Sequence, residues 1–168
     1  MAFADRLVGI RGGGDIGTGV AWRLTRAGFP VVVCELPSPL AVRRLVALST
    51  AVDDGTVDIE GMIGGKVSSP DEAVAVAAGG EVAVLVAETL PALERWAVVD
   101  ARLAKRNIDT TTDDAHLVVG LGPGFTAGLD CHAVVETMRG HRLGRVIWDG
   151  PAAPNTGEPG EIGGRSSE

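Results

Sequence analysis

The residues of this chain best suited to chemistry are glycines. Gly12-Gly13-Gly14-Asp15-Ile16-Gly17 satisfies G-x-G-x-x-G, a pattern that is informative where a strand runs in and a helix runs out. Gly12 permits the tight turn, Gly14 lacks the Cβ that would block a pyrophosphate, and Gly17 lets the helix pack closely on the strand. The first turn of that helix would present unpaired N–H groups to an anion, which makes Gly12, Gly13, Gly14, Asp15, Ile16 and Gly17 candidate phosphate-binding residues. Glu35 follows Gly12 by 23 positions, near the offset at which a carboxylate binds a ribose 2′-hydroxyl, and its charge favours NAD over NADP. The same letters also serve packing alone, and Asp15 could cap the helix through its backbone amides.

A second glycine loop, Gly120-Leu121-Gly122-Pro123-Gly124-Phe125-Thr126-Ala127-Gly128, follows an apolar run. Gly122 and Gly124 are candidate walls of the same crevice, or parts of a long turn. Beyond it, His132 and Glu136 share a face if the segment is helical, as an acid/base pair, as metal ligands or as a surface pair. Asp130 would then be the helix cap. With no third ligand in pattern, no metal site is assigned. Asp100 closes an apolar run and is followed by Arg102, Lys105 and Arg106, which could orient a polar substrate or lie solvated on a loop. Asp100, Lys105 and His132 are the candidate acid/base residues. Cys34 reads as a small core residue.

The elements that must hold these groups alternate. Leu7 to Arg11, Val31 to Cys34, Val82 to Val86, Ala97 to Val99, Leu117 to Leu121 and Arg145 to Trp148 read as strands. Ile16 to Ala27, Leu40 to Val52, Pro70 to Ala78, Leu90 to Trp96 and Ala127 to Arg139 read as helices, with Gly28 ending the first. Thr56 to Val67 suggests a small hairpin or an irregular insertion. The expected fold class is α/β: a Rossmann-like, doubly wound, mostly parallel sheet of about six strands over residues 1–150. From residue 151 the Gly/Pro-rich composition predicts an extended tail, draped over the sheet or a second subunit, or disordered beyond Gly163.

The chain has 168 residues, a formal net charge of −7 and 45% hydrophobic residues. That length suits one domain, and the acidity argues against a nucleic-acid partner held by its phosphates. Two cysteines with no C-x-x-C spacing suggest neither a disulfide framework nor structural zinc. No apolar run approaches a membrane span, and Met-Ala-Phe-Ala-Asp-Arg lacks a signal-peptide core, so a reduced cytoplasmic location is expected. Tyrosine is absent, which excludes a tyrosine general acid.

Several separated blocks together resemble one family. They are Ile10 to Ile16, Glu35-Leu36-Pro37-Ser38-Pro39-Leu40-Ala41-Val42-Arg43-Arg44, Asp100 to Asn107, Gly120 to Gly128 through His132 and Glu136, and Arg139-Gly140-His141 through Trp148 to Pro154-Asn155-Thr156-Gly157. In these the chain is similar to the bacterial accessory proteins of the selenium-dependent molybdenum hydroxylase system. Members of that group are expected to carry a further C-terminal segment. The resemblance implies a role in maturing or supplying a molybdenum hydroxylase of the xanthine dehydrogenase type, and it brings no reaction with it. Three functions follow as expectations. The first is an accessory protein binding NAD or another nucleotide-bearing ligand, such as a molybdopterin dinucleotide, with the hydroxylase or its maturation machinery as partner. The second is an NAD-dependent oxidoreductase on a small polar substrate. The third is a ligand-free scaffold, with assembly into a homo-oligomer as a general prior.

Overall fold

Val8–Arg11 is buried along its whole length and forms β1, the strand about which the first part of the chain is arranged. The structure is a computed structural model that describes residues 2–155. It divides into two compact units, Met1–Arg102 and Leu103–Glu168. In the first unit β1 is followed by α1 (Asp15–Ala27), β2 (Val31–Glu35), α2 (Ala51–Asp54), β3 (Thr56–Ile59), β4 (Met62–Val67), α3 (Pro70–Ala78), β5 (Val82–Val86) and β6 (Ala97–Asp100). The strands lie in the order β6-β1-β2-β5-β4-β3. All neighbours are parallel except the hairpin β3-β4. The fold is therefore mixed α/β with a mostly parallel sheet, and β-branched runs such as Val31-Val32-Val33 sit where both faces are covered.

Successive side chains of a strand face opposite sides, so Val32 and Val33 name the two faces. Ala73 and Ala77 of α3 pack with Val32, Val67, Ala83 and Leu85. On the other face, the turn after β1 lies against Val33, and the amide of Leu48 donates to the Thr18 hydroxyl of α1 at 2.9 Å. The helix ends are set by local chemistry. Gly28, at φ 92°, closes α1 by donating to Leu24 and Thr25 carbonyls. Ser69 accepts from the Glu72 amide at 3.2 Å, while Glu72 accepts from Ser68, and Pro70 opens α3.

The second unit holds β7 (Leu117–Leu121), β8 (Thr126–Ala127), β9 (Ala133–Val135), β10 (Val146–Ile147) and β11 (Gly150–Pro151). Here β9 lies between β7, to which it is parallel, and β10, to which it is antiparallel. The two short strands β8 and β11 pair antiparallel.

Three expected helices are not there. Leu40 to Val52 is interrupted where Arg43 and Ala47 adopt non-helical dihedrals, leaving two 3-10 turns, 44–46 and 48–50, before the single turn of α2. Leu40, Val42 and Leu45 have no core to face in that stretch, so the periodicity that suggested a helix has nothing to bury. Leu90 to Trp96 is short and carries Pro91, whose carbonyl accepts from Arg95 at 2.9 Å. Ala127 to Arg139 is a turn and a strand: Gly128 takes φ 85°, and the Asp130 carboxylate accepts from the Thr126 amide at 2.9 Å. The start of the expected tail is structured as β11, with Ala152 buried behind it; the part from residue 156 onward lies outside the described residues. Among the described residues no helix is long and apolar enough to cross a membrane.

Gly17 and Gly19 of α1 make a test of this packing. A Cβ on Gly17 would run into the Gly12 carbonyl and meet Ala101, whereas one on Gly19 meets nothing within 4 Å. Gly17→Ala should lower stability by roughly 1–3 kcal/mol through overpacking, and Gly19→Ala should raise it by about 0.5–1 kcal/mol through helix propensity. Urea denaturation of the two variants reads the difference.

Candidate functional site

The glycine turn lies where β1 ends and α1 begins, and the chain itself makes most of its polar contacts. The Gly12 amide donates to the Cys34 carbonyl at 2.9 Å. The Gly13 carbonyl accepts from the Ser49 amide at 2.9 Å and from the Thr18 hydroxyl at 3.2 Å. The buried Glu35 side chain reaches back from the end of β2: its Oε2 accepts from the Gly13 amide at 2.7 Å, and its Oε1 from the Leu36 amide at 2.7 Å. Gly12 takes φ 93°, a conformation that disfavours any side chain, and a Cβ there would stand only 3.1 Å from the backbone of Ala101 and Arg102.

Gly14 differs. It is the N-cap of α1, no side chain caps the helix from that position, and a Cβ there would meet nothing within 4 Å. The amides of Gly14, Asp15 and Ile16 open this helix, where backbone donors have no partner within the helix itself. Asp15 does not cap them. Its carboxylate is ion-paired with Arg43, a largely exposed side chain from the segment after β2, and Ile16 is exposed beside it. Gly12, Gly13, Gly14, Asp15, Ile16, Gly17 and Glu35 are thus brought together, in a turn whose first amides serve Cys34 and Glu35 and whose Gly14 has open space where a Cβ would stand.

On the opposite face, Arg11, Cys34 and Asp100 occupy register positions at the ends of adjacent parallel strands. All three are buried. The Asp100 carboxylate is held by the Arg102 guanidinium, with Nη2 at 2.6 Å from Oδ2 and Nε at 3.1 Å from both oxygens. That geometry is a bidentate charge-assisted pair, which fixes the chain as it leaves β6. Burial pushes the Cys34 thiol up to about 11, against a smaller opposing pull from Arg95 and Arg11. The thiol is a protonated core group at neutral pH, and among the described residues no group of three or more His, Cys, Asp or Glu side chains could hold a metal.

The remaining candidates belong to the second unit. Gly122, at φ 77°, packs on Thr137 and donates its amide to the Val135 carbonyl at 2.8 Å; Gly124, at φ 106°, abuts Arg106, and its carbonyl accepts from the Asn107 amide at 3.0 Å. Lys105 is exposed in that loop, at φ 63°. His132 and Glu136 share no helical face, because the segment is strand and turn. His132 Nδ1 accepts from the Val118 amide at 3.0 Å, beside the His132 amide's own bond to the Val118 carbonyl. Glu136 is buried, and its two oxygens accept from the Met138 and Ala153 amides at 2.8 Å each. Both side chains tie backbone segments together. Sequence reasoning missed Arg43 at the mouth of α1 and the Thr18 and Ser49 contacts behind the turn. Arg43 and Arg44 lie in the stretch 40–52 that was expected to be helical, and it is the break in that helix that brings Arg43 to Asp15.

No protein-family profile matches the chain. It is 47% identical over 165 residues to the uncharacterized protein YqeB of Escherichia coli (strain K12), a match covering 96% of this chain and 30% of that relative. The chain thus spans under a third of the length of the curated relative it matches. No solved structure matches.

Two outcomes test the turn and the face behind it. Glu35→Ala leaves the buried Gly13 amide without its acceptor and should cost about 1–3 kcal/mol in urea denaturation. Cys34 should react with a maleimide at pH 8 at least about 100-fold more slowly than a free cysteine, since a thiol raised from 9.0 to about 11 yields that much less thiolate. Its contribution to stability is full below pH 9 and lost as pH rises toward 11; Cys34→Ala should remove that slope.

Proposed function

We propose that the chain is a Rossmann-like nucleotide-binding module that takes the phosphates of its ligand at the mouth of α1. The observation that carries this reading is Gly14: an N-cap with open space where its Cβ would stand, ahead of amides that begin a 13-residue helix. An anion placed there gains backbone donors and the positive end of the helix dipole. The surrounding frame supports it. A β-turn-α-β unit places the glycines at the carboxyl end of a mostly parallel sheet, helices meet both faces, and β2 and β6 flank β1 on opposite sides, which is the switch-point arrangement where such sheets take ligands. Glu35 keeps lone pairs beyond its two backbone bonds and is the acceptor proposed for a ribose hydroxyl, favouring NAD or another nucleotide without a 2′-phosphate.

The sequence blocks that resemble the selenium-dependent molybdenum hydroxylase accessory proteins support a cytoplasmic role in maturing such an enzyme. A molybdopterin dinucleotide is then a second candidate ligand, and the hydroxylase or its maturation machinery the partner. An oxidoreductase activity has less behind it, since Asp100 and His132 are both engaged in backbone or ion-pair bonds. A ligand-free scaffold is favoured by one observation: Glu35 and Arg43 already satisfy the Gly13 amide and the Asp15 carboxylate from within the chain.

Calorimetric titration with NAD, NADP and molybdopterin dinucleotide separates these readings. Binding of at least one is expected, with NADP the weaker of the nicotinamide pair. Gly14→Val should leave the fold intact, because the site for its side chain is empty, and should weaken binding at least about tenfold by filling the space a phosphate needs. Silence from all three ligands, or a Gly14→Val isotherm like that of the parent, sinks the nucleotide reading in favour of the scaffold.

A further inference from the structure

A cavity of about 420 Å³ opens in the first unit between the last turns of α1, the turn of the β3-β4 hairpin and the approach to β5. It lies at the amino ends of β4 and β5, whereas the glycine turn lies at the carboxyl end of β1 in the same parallel part of the sheet. Its walls hold charges that the chain does not answer. Arg26 supplies a cation, and Glu60 and Glu81 supply carboxylates, all three exposed. Among the described residues none of the three has an ion pair, with one another or with any other group. Trp22 adds a further unanswered group: its indole N–H is shut off from water and has no acceptor, which costs a folded chain free energy until one arrives. The Arg26 guanidinium lies over the Trp22 ring, 4.2 Å from its centroid, and such stacking leaves the N–H edge of the fork for a carboxylate. Glu60 is set by the hairpin. With Gly61 it makes a two-residue turn in which both residues take positive φ, 53° and 79°, a turn that Asn and Gly make with less strain. Met62 and Ile63 complete the wall with apolar surface.

We infer that this cavity binds a free α-amino acid with an apolar side chain, Arg26 taking its carboxylate, Glu60 and Glu81 its ammonium group, and Trp22, Met62 and Ile63 its side chain. A ligand of one sign answers only one wall: a simple carboxylate leaves the two glutamates unmatched, and a simple amine leaves Arg26 so. A zwitterion answers both. The size is set by the volume, since about 420 Å³ stands near the lower end of the roughly 300–1,000 Å³ of small-molecule pockets. The ligand's carboxylate also brings the acceptor that the indole N–H lacks, once the ring tilts to admit it. The inference does not depend on a bound nucleotide, because no residue of the cavity belongs to the glycine turn.

The test titrates the full chain with L-leucine and L-phenylalanine, each beside the analogue lacking its amine (isocaproate, hydrocinnamate) and the analogue lacking its carboxylate (isoamylamine, phenethylamine), and follows heat and tryptophan fluorescence. Saturable binding of at least one amino acid is expected, with both of its analogues at least about tenfold weaker. The fluorescence change should vanish in Trp22→Phe, which keeps Trp96 and Trp148. Arg26→Gln and the double variant Glu60→Gln, Glu81→Gln should each weaken binding at least about tenfold, as loss of a charge-assisted partner does. The double variant should melt as the parent does, since neither carboxylate is bonded to another part of the fold. No binding of either amino acid up to about 10 mM, a range that takes in even weak small-molecule sites, overturns the inference. So does binding that either charge variant leaves unchanged, or a fluorescence change that survives in Trp22→Phe. An analogue that binds as tightly as its amino acid overturns it in favour of a ligand of that one sign.

Discussion

A single carboxylate holds the first unit's working edge together. Glu35 ends β2, and its two oxygens accept the amides of Gly13 and Leu36, so one side chain fastens the turn after β1 to the turn after β2. A buried carboxylate is tolerable where hydrogen bonds offset its lost hydration, and here one backbone donor on each oxygen does so. The glycines follow from the same closeness. Gly13 has Val33 and Ser49 within 3.0 Å of where a Cβ would stand, and Gly17 leaves no room beside the Gly12 carbonyl. Of the three glycines that G-x-G-x-x-G requires, Gly12 and Gly17 are therefore dictated by packing, and only Gly14 keeps open space beside it.

That distinction bears on how such motifs are read. A glycine can be required because another part of the protein occupies the space, or because something else must. Gly12, Gly13 and Gly17 are of the first kind, whereas a Cβ on Gly14 would meet no other part of the chain within 4 Å. The sequence motif alone cannot separate them, since a missing Cβ looks the same in either case.

The strands were largely legible from the letters. β1, β2, β5, β6 and β7 lie where β-branched runs predicted them, and Thr56 to Val67 is a hairpin, because a short apolar run in a parallel sheet has few other ways to be buried. α1 and α3 were legible through Gly28 and Pro70, whose backbone constraints are local. The failures were helices whose apolar spacing had no partner surface: Leu40, Val42 and Leu45 point to solvent, and Val134 belongs to a strand beside β7. Periodicity reports a pattern of side chains, and the long-range surface that selects strand or helix is invisible to it. The site was half legible. Glu35 was singled out as a ligand's partner, while its bonds to Gly13 and Leu36 depend on a turn geometry that no spacing rule describes.

His132 shows what one backbone contact can decide. With Nδ1 already receiving the Val118 N–H, the neutral ring must carry its proton on Nε2. Its free edge is then a giver of hydrogen bonds and holds no lone pair, so a metal cation finds no ligand there unless the sheet first surrenders that bond.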